Sequence, residues 1–176
     1  IDLQNSFYST RKNWAHNAFV NLQYSILENN NEKLWLYVRF PMRMATEKLD
    51  YQRERTDTLL RRHLNFFEPD LKLKYYPKTE NRDIFFILNY RLTHSAPDLS
   101  YNINYRDDAT PLVVRLTNPG LKNAHNHNLY TSYNWGDWKK QRFFYTALYY
   151  NLSLNALAQS LTYDRMTGIR TYRTEN

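Results

Sequence analysis

The fold is decided by residues 14–27, which read WAHNAFVNLQYSIL. Mostly apolar or aromatic side chains occupy the even positions from Trp14 to Ile26, whereas the odd positions are mostly polar. Successive side chains of a β-strand point to opposite faces of a sheet, so the alternation predicts a strand with one apolar and one polar face. The stretch is much longer than the usual globular strand of about 5–6 residues, and about 9–11 residues suffice to cross a bilayer.

The same alternation recurs along the chain and predicts six long strands joined by short polar turns or longer charged connections. Short turns at one end of a sheet and long loops at the other are typical of bacterial outer-membrane barrels. We therefore predict an all-β chain of antiparallel, up-and-down strands that is part of a large transmembrane β-barrel. Residues 1–176 would form one barrel segment, and for 46–62 we favour a loop with strand extensions over a helix. The predicted strands cover about 13–27, 34–46, 63–76, 83–93, 124–135 and 141–155, with turns near 28–33, 77–82 and 136–140 and long connections at 46–62, 94–123 and 156–176.

Alternation also assigns side chains to the two faces of the predicted sheet. A shift of one residue in pairing would exchange the faces, so the assignment depends on the strand register. The side chains predicted to face lipid are Leu36, Val38, Phe40, Leu88, Leu148 and Tyr150. Those predicted to face the barrel lumen are Trp35, Tyr37, Arg39, Asn89, Arg91, Tyr145, Tyr149 and Asn151.

Composition excludes several classes of protein. The 176 residues are 16% aromatic, with 16 tyrosines, which does not fit a disordered chain. Apolar runs are only a few residues long, too short for a membrane-spanning helix of about 20 residues. Cysteine is absent, which excludes disulfides, thiol catalysis and thiolate metal sites. The net charge of +7 comes from scattered basic residues, so we interpret it as a solvated, mildly basic surface.

The motifs of known chemical sites are missing, so we predict neither an enzyme nor a cofactor. His125 and His127 share one face of a predicted strand, but no third ligand follows at a zinc-site spacing, and we predict no metal site. No nucleophile elbow or glycine-rich phosphate loop occurs. Asp107 and Asp108 are adjacent and would point to opposite faces of a strand, which does not favour a catalytic pair. Tyrosine and arginine interleave at 101–106 without a nucleic-acid-binding motif, so we predict no nucleic acid partner.

Three motifs between residues 66 and 133 resemble a known family. The strand motif is Phe67-Glu68-Pro69-Asp70-Leu71-Lys72-Leu73-Lys74-Tyr75. Leu88-Asn89-Tyr90-Arg91 precedes a loop with Ala96-Pro97-Asp98-Leu99, and Leu116-Thr117-Asn118-Pro119-Gly120-Leu121-Lys122 returns the chain from that loop. Together they resemble the C-terminal barrel region of outer-membrane β-barrel proteins related to TonB-dependent receptors. Nothing in the chain resembles the plug domain or the TonB box of that family.

The resemblance implies a segment of a large barrel in the outer membrane of a Gram-negative bacterium, involved in ligand or nutrient uptake. The implied partners are outer-membrane lipid and the rest of the barrel polypeptide, with a surface lipoprotein and TonB contacted through parts outside this chain. The family contributes no catalytic residues, so function would lie in loop and lumen contacts with ligand. The candidate ligand-binding residues are Tyr37, Arg39, Arg91, Tyr101, Tyr105, Arg106 and Tyr149.

A soluble β-rich, sandwich-like module is the alternative interpretation, and its aromatic and asparagine side chains would suit glycan binding. Its strands should be shorter and its turns richer in glycine than 3 residues in 176. In the membrane interpretation, six strands are too few for a closed barrel, which has at least about eight. We therefore expect the chain to be a fragment or to pair with further strands.

Overall fold

Eleven β-strands and one short 3-10 helix, Leu99–Asn102, form the computed structural model, which describes residues 7–29, 32–53, 56–79, 82–103, 106–110 and 112–176. The predicted all-β class is confirmed. In these ranges no helix is long and apolar enough to cross a bilayer. The strands are β1 (Tyr8–Glu28), β2 (Glu32–Arg53), β3 (Thr56–Phe67), β4 (Asp70–Thr79), β5 (Arg82–Ser95), β6 (Arg106–Thr110), β7 (Val113–Leu116), β8 (Ala124–Asp137), β9 (Arg142–Leu154), β10 (Ala158–Tyr163) and β11 (Arg170–Glu175).

The main sheet has the strand order β1-β2-β4-β5-β8-β9, and β3 pairs with the other half of β2. All of its pairings are antiparallel, which confirms the predicted up-and-down arrangement. The sheet is open and does not close into a barrel. Among the described residues, β1 pairs only with β2 and β9 only with β8, so these two strands form its edges.

The predicted strand 63–76 is divided at Glu68 and Pro69 into β3 and β4. Phe67 lies opposite Met42 and Asp70 lies opposite Arg39, so the register against β2 is the same on both sides of the break. Proline has no backbone N–H and cannot donate to the ladder. The carbonyl oxygen of Pro69 instead accepts from the Leu92 N–H at 3.0 Å. β3 and β4 therefore occupy one strand position, and the main sheet has six such positions.

The short connection from Arg53 of β2 to Thr56 of β3 lies at one end of the main sheet, and three other short connections lie at the opposite end. These three follow Glu28, Thr79 and Asp137, which end β1, β4 and β8. In the last of them the Asp137 carboxylate accepts from the Lys140 N–H at 3.0 Å, and Trp138 Nε1 donates to Asp83 Oδ2 at 2.7 Å. We call this the turn end of the sheet and the opposite one the loop end.

Two of the predicted long loops contain strands, which corrects the sequence interpretation of 94–123 and 156–176. β6, β7, β10 and β11 form a second sheet in the order β10-β11-β7-β6. Its β11–β7 pairing is parallel, unlike all pairings in the main sheet. These strands are only four to six residues long, too short for alternation to stand out in the sequence.

In the connection 46–62 the predicted strand extensions are confirmed, because its described residues form the outer parts of β2 and β3. The two strands pair from Met42 opposite Phe67 to Arg53 opposite Thr56. On one face of this extension, which lies at the loop end, the 3-10 helix packs and closes a small core. The buried side chains of that core are Leu49, Tyr51, Leu99 and Ile103, with Leu60 packed against them.

The segment that carries the 3-10 helix is held by the Asp98 carboxylate. It accepts hydrogen bonds from the Ser100 N–H at 2.8 Å and the Ser100 hydroxyl at 2.6 Å, and it pairs with Arg11 on β1. Partial burial raises the pKa of Asp98, but the hydrogen bonds from Arg11 and Ser100 outweigh burial and lower this pKa from 3.8 to about 2. Ionised Asp98 therefore stabilises the docked segment.

We expect the docking of this segment to depend on pH at the acidic extreme. Because the folded pKa is depressed, the stabilisation is fully present above the unfolded pKa of 3.8 and is lost as pH falls through about 2. Amide hydrogen exchange of Tyr101 and Ile103, compared between wild type and Asp98→Asn at each pH, measures it. The variant should exchange faster at pH 5, and the difference should vanish below pH 2. A difference independent of pH would contradict the assignment.

Candidate functional site

The register of the main sheet aligns polar side chains from six strand positions on one face, which we call the polar face. Partners opposite each other in adjacent strands lie on the same face, so the rows can be read directly from the pairing. The arginine row holds Asn21, Arg39, Asp70, Arg91, Asn128 and Asn151. The neighbouring tyrosine row holds Gln23, Tyr37, Lys72, Asn89, Tyr130 and Tyr149.

The other side of the sheet, the apolar face, carries the aliphatic rows. One row holds Leu22, Val38, Leu71, Tyr90, Leu129 and Tyr150, and the next holds Tyr24, Leu36, Leu73, Leu88, Thr131 and Leu148. Many of these side chains are exposed, with Leu148 at 60% and Leu22 at 53%. On β8 the apolar face runs from Trp135 to His127, about 27 Å along the strand at 3.4 Å per residue.

Basic side chains gather in the middle of the polar face. Arg39 and Arg91 flank Asp70 in the arginine row, Lys72 lies in the tyrosine row, and Lys74 lies in the row beyond it. Arg91 donates to Asp70 from Nε at 2.9 Å and from Nη2 at 2.5 Å. We call Arg39, Lys72, Lys74 and Arg91 the cation cluster.

Tyrosine side chains lie beside the cation cluster on the β8 and β9 side. The rings of Tyr130 and Tyr149 have centroids 4.7 Å apart, and the Tyr130 and Tyr145 hydroxyl oxygens are 3.2 Å apart. An open depression of about 610 Å³ is lined by Lys72 and Arg91 on one side and by Tyr130 and Tyr149 on the other. The depression offers hydrogen-bond donors and an aromatic surface to a polar ligand.

A second depression lies on the β1 and β2 side of the same strand. Its volume is about 550 Å³, and Tyr37, Arg39 and Lys74 contribute to its lining. Asp70 and Lys72 line both depressions, so β4 is the ridge between them. The Lys74 ammonium lies 5.2 Å from the centroid of the Tyr37 ring, and the Arg39 guanidinium lies 4.3 Å from that of Phe19.

Four of the seven predicted ligand-binding residues lie together in the two central rows: Tyr37, Arg39, Arg91 and Tyr149. Tyr101 is separate, because it belongs to the 3-10 helix and lines a small depression with Arg115 and Tyr172. Tyr105 lies outside the described residues. Arg106 begins β6, and its side chain is outside the description.

Sequence reasoning did not assign six residues of the two central rows to the lumen-facing set, nor Lys74 of the cation cluster. The six are Asn21, Gln23, Asp70, Lys72, Asn128 and Tyr130. Their signal was present in the alternation of 14–27, in that of Leu71 and Leu73 with lysines, and in the alternation of 124–135. All eight side chains predicted to face the lumen lie on the polar face, and all six predicted to face lipid lie on the apolar face. The sheet register therefore agrees with the partition into two faces.

His94, His125 and His127 contact neighbouring side chains rather than gathering around a metal position. His94 and His125 lie opposite each other on β5 and β8, with ring centroids 4.8 Å apart, and His127 Nδ1 lies 2.9 Å from the Tyr90 hydroxyl. Across the described ranges, no three side chains of histidine, cysteine, aspartate or glutamate cluster in a way that could hold a metal ion. The Asp107 and Asp108 side chains are outside the description.

No protein-family model, curated protein or solved structure matches this chain.

Proposed function

We propose that the chain is a segment of an outer-membrane β-barrel protein, similar to TonB-dependent receptors, that takes up a ligand across the outer membrane. In this arrangement the apolar face meets lipid and the polar face lines the water-filled lumen. The Tyr37, Arg39, Arg91 and Tyr149 side chains would then contact ligand during its passage. The rest of the barrel polypeptide would complete the sheet, and the surface lipoprotein and TonB would be reached through other parts of it.

The uncovered apolar face is the observation that carries the proposal. Soluble monomers rarely expose a contiguous apolar patch larger than a few hundred Å². Here the aliphatic rows stay open in the described chain, because Leu22, Leu148 and Tyr150 are 53–60% exposed, and the 3-10 helix packs on the β2–β3 extension instead. A membrane barrel presents an apolar band about 25 Å tall on strands tilted by about 35–45°. At that tilt the 27 Å of strand between Trp135 and His127 rises about 19–22 Å along the membrane normal, which covers most of the band.

Aromatic side chains at the two ends of the apolar face also support the proposal. Trp135 and Phe144 lie near the turn end, and Trp14 lies on β1 nearer the loop end. Trp138 is directed to the other face, because it donates to Asp83 and contacts the Phe143 ring, and both of these residues lie on the polar face. Membrane barrels carry girdles of aromatic residues at both interfaces. Trp35 does not belong to such a girdle, because its pairing with Ser25 and Lys74 places it on the polar face.

The two open edges are consistent with the same proposal. Unpaired backbone amides and carbonyls cannot be satisfied in hydrocarbon, so a membrane sheet must continue until it closes. β1 and β9 present such groups along 21 and 13 residues. Further strands, supplied by the rest of the barrel polypeptide, would pair with both edges.

Neighbouring residues with opposite facing provide the test. The chain has no cysteine, so single variants such as Leu148→Cys and Tyr149→Cys can be labelled with a fluorophore without altering any other position. In lipid bilayers, we expect lipid-attached quenchers to quench the label at position 148 and water-soluble iodide to quench the label at position 149. Equal quenching at the two positions would overturn the membrane proposal and would favour the soluble binding module.

Topology gives a further expectation, because the short turns of such barrels are periplasmic and the long loops extracellular. Trypsin added to intact cells should cut at Arg165, between β10 and β11, and should spare Lys139 in the turn between β8 and β9. Both residues are exposed, so accessibility in the folded chain does not favour one of them. Permeabilised cells are the control, in which both sites should be cut. Cleavage at Lys139 in intact cells would reverse the orientation.

A further inference from the structure

We propose that the cation cluster on the polar face is a binding site for hydroxylated solutes carrying two or more negative charges, such as sugar phosphates. The inference rests on the proposed function, because the polar face must line a water-filled lumen for such a solute to reach it. It goes further by assigning the chemical class of the ligand and the residue at the centre of the site.

Lys72 is the centre of the cluster by register. It lies opposite Tyr37 on β2 and Asn89 on β5, while Asp70, two residues away on the same face, lies opposite Arg39 and Arg91. Arg39 and Arg91 are therefore the diagonal neighbours of Lys72, at about 7–8 Å between Cα atoms. Long basic side chains at that spacing can reach one bound anion together.

Only one of the four positive charges of the cluster is balanced by a carboxylate of the described residues. Asp70 is the one carboxylate in the arginine and tyrosine rows, and Arg91 holds it through two hydrogen bonds. Arg39, Lys72 and Lys74 form no ion pair with a carboxylate among the described residues. A cleft lined by one sign of charge concentrates ligands of the opposite sign, and rings of arginine and lysine select anions in pores.

Two of the cations lie over aromatic rings, which hold them in place on the face. Arg39 lies over Phe19 and Lys74 lies over Tyr37. Cation–π contacts orient a basic group without neutralising its charge, and its N–H groups can still donate to an anion. Arginine matches carboxylate and phosphate oxygens through two parallel hydrogen bonds, which favours these groups as ligands.

Neighbouring amides and hydroxyls extend the site beyond the anionic group. Asn128, Tyr130, Tyr149 and Asn151 line the depression next to Lys72. Asn89, which lies opposite Lys72 on β5, lines the same depression. Amide and hydroxyl side chains can both donate hydrogen bonds to, and accept them from, the hydroxyl groups of a ligand. Charge and hydrogen bonding together favour a hydroxylated anion over a simple one.

Equilibrium dialysis of the detergent-solubilised chain against labelled glucose 6-phosphate and labelled glucose tests the proposal. The two solutes share a hydroxylated body and differ in the phosphate. We expect saturable binding of glucose 6-phosphate that weakens with added salt, and at least about tenfold weaker binding of glucose, because hydrogen bonds to charged groups are the stronger ones. Lys72→Gln should weaken binding of the phosphate at least about fivefold.

Lys139→Gln is the matched control, because it removes the same charge from the exposed turn between β8 and β9. It should leave the affinity within about twofold, as expected for a distant surface charge. Circular dichroism verifies that both variants keep their strand content. Absent binding, equal affinity for the two solutes, or equal effects of the two variants would each overturn the assignment.

The facing experiment separates this inference from the proposed function. If the labels at positions 148 and 149 are quenched from opposite sides but Lys72→Gln does not change the affinity for glucose 6-phosphate, the proposed anion site is wrong. The proposal that the chain is a barrel segment is then upheld. Where the two labels behave alike and binding still depends on Lys72, the anion site stands as a property of the sheet and the membrane function is wrong.

Discussion

Replacing Leu148 with arginine should lower the free energy of unfolding by about 2–4 kcal/mol in a bilayer, the cost of a cation at the membrane midplane. Leu148 lies in the middle row of the apolar face and is 60% exposed, so the protein around it offers no partner for the charge. Urea unfolding of the complete barrel that contains this chain, in lipid vesicles and followed by tryptophan fluorescence, gives the difference between wild type and Leu148→Arg.

Asn151→Arg is the control for this experiment, since Asn151 lies on the same strand with its side chain on the polar face. A solvated position tolerates arginine, and the variant should change the free energy of unfolding by less than about 1 kcal/mol. Similar losses in the two variants would show that β9 has no lipid-facing side. No loss in either variant would show that the strand does not lie in the membrane.

Leu99→Ala should cost about 2–5 kcal/mol in the docking of the 3-10 helix, as for other buried leucines truncated to alanine. Leu99 is 3% exposed and packs against Leu49 and Tyr51 on the β2–β3 extension. The segment has few other anchors, so the loss should appear as local opening rather than as unfolding of the main sheet. Amide hydrogen exchange of Tyr101 and Ile103 measures the opening.

Leu157→Ala provides the comparison for the Leu99 experiment, because the Leu157 side chain is 43% exposed and lies in a different loop. It should leave the exchange rates of Tyr101 and Ile103 unchanged. If Leu99→Ala leaves them unchanged as well, the small core does not hold the segment. Faster exchange throughout the main sheet would mean that the core supports the whole fold.

The long strands could be predicted from the sequence because each carries its own alternation. Polar and apolar residues alternate along 14–27, a period of two that a helix or a loop does not produce over such a length. The strands that pair with this one show the same alternation. The division at Pro69 was less apparent, because the residues before and after it keep the same register against β2 and the alternation continues without a shift. Only the missing N–H of the proline interrupts the hydrogen-bond ladder. The outer part of β2 was predicted as a strand extension, although Glu47, Lys48 and Asp50 give it the composition of a loop and hide how far the strand continues.

The second sheet could not be predicted, since its strands are short and its pairings join distant residues. β11 pairs in parallel with β7, with Arg170 opposite Val113, and no local pattern in the sequence predicts a pairing between residues so far apart. The candidate site was predicted where alternation applies, as for Tyr37 and Arg39, whereas Tyr101 was chosen for its composition alone. Lys72 was overlooked because a lysine between two leucines predicts only that it lies on the exposed face of a strand. It does not indicate which side chains of the neighbouring strands lie next to it.

The six strand positions of the main sheet have a consequence for the architecture of any ring that contains it. Six is even, so β1 runs towards the turn end and β9 runs away from it, and the two edges have opposite polarity. To keep every neighbour antiparallel, the strands that complete the ring must also be even in number. Growth of the protein by whole hairpins preserves this parity, whereas the gain or loss of a single strand would bring two parallel edges together and break the circuit of antiparallel hydrogen bonds.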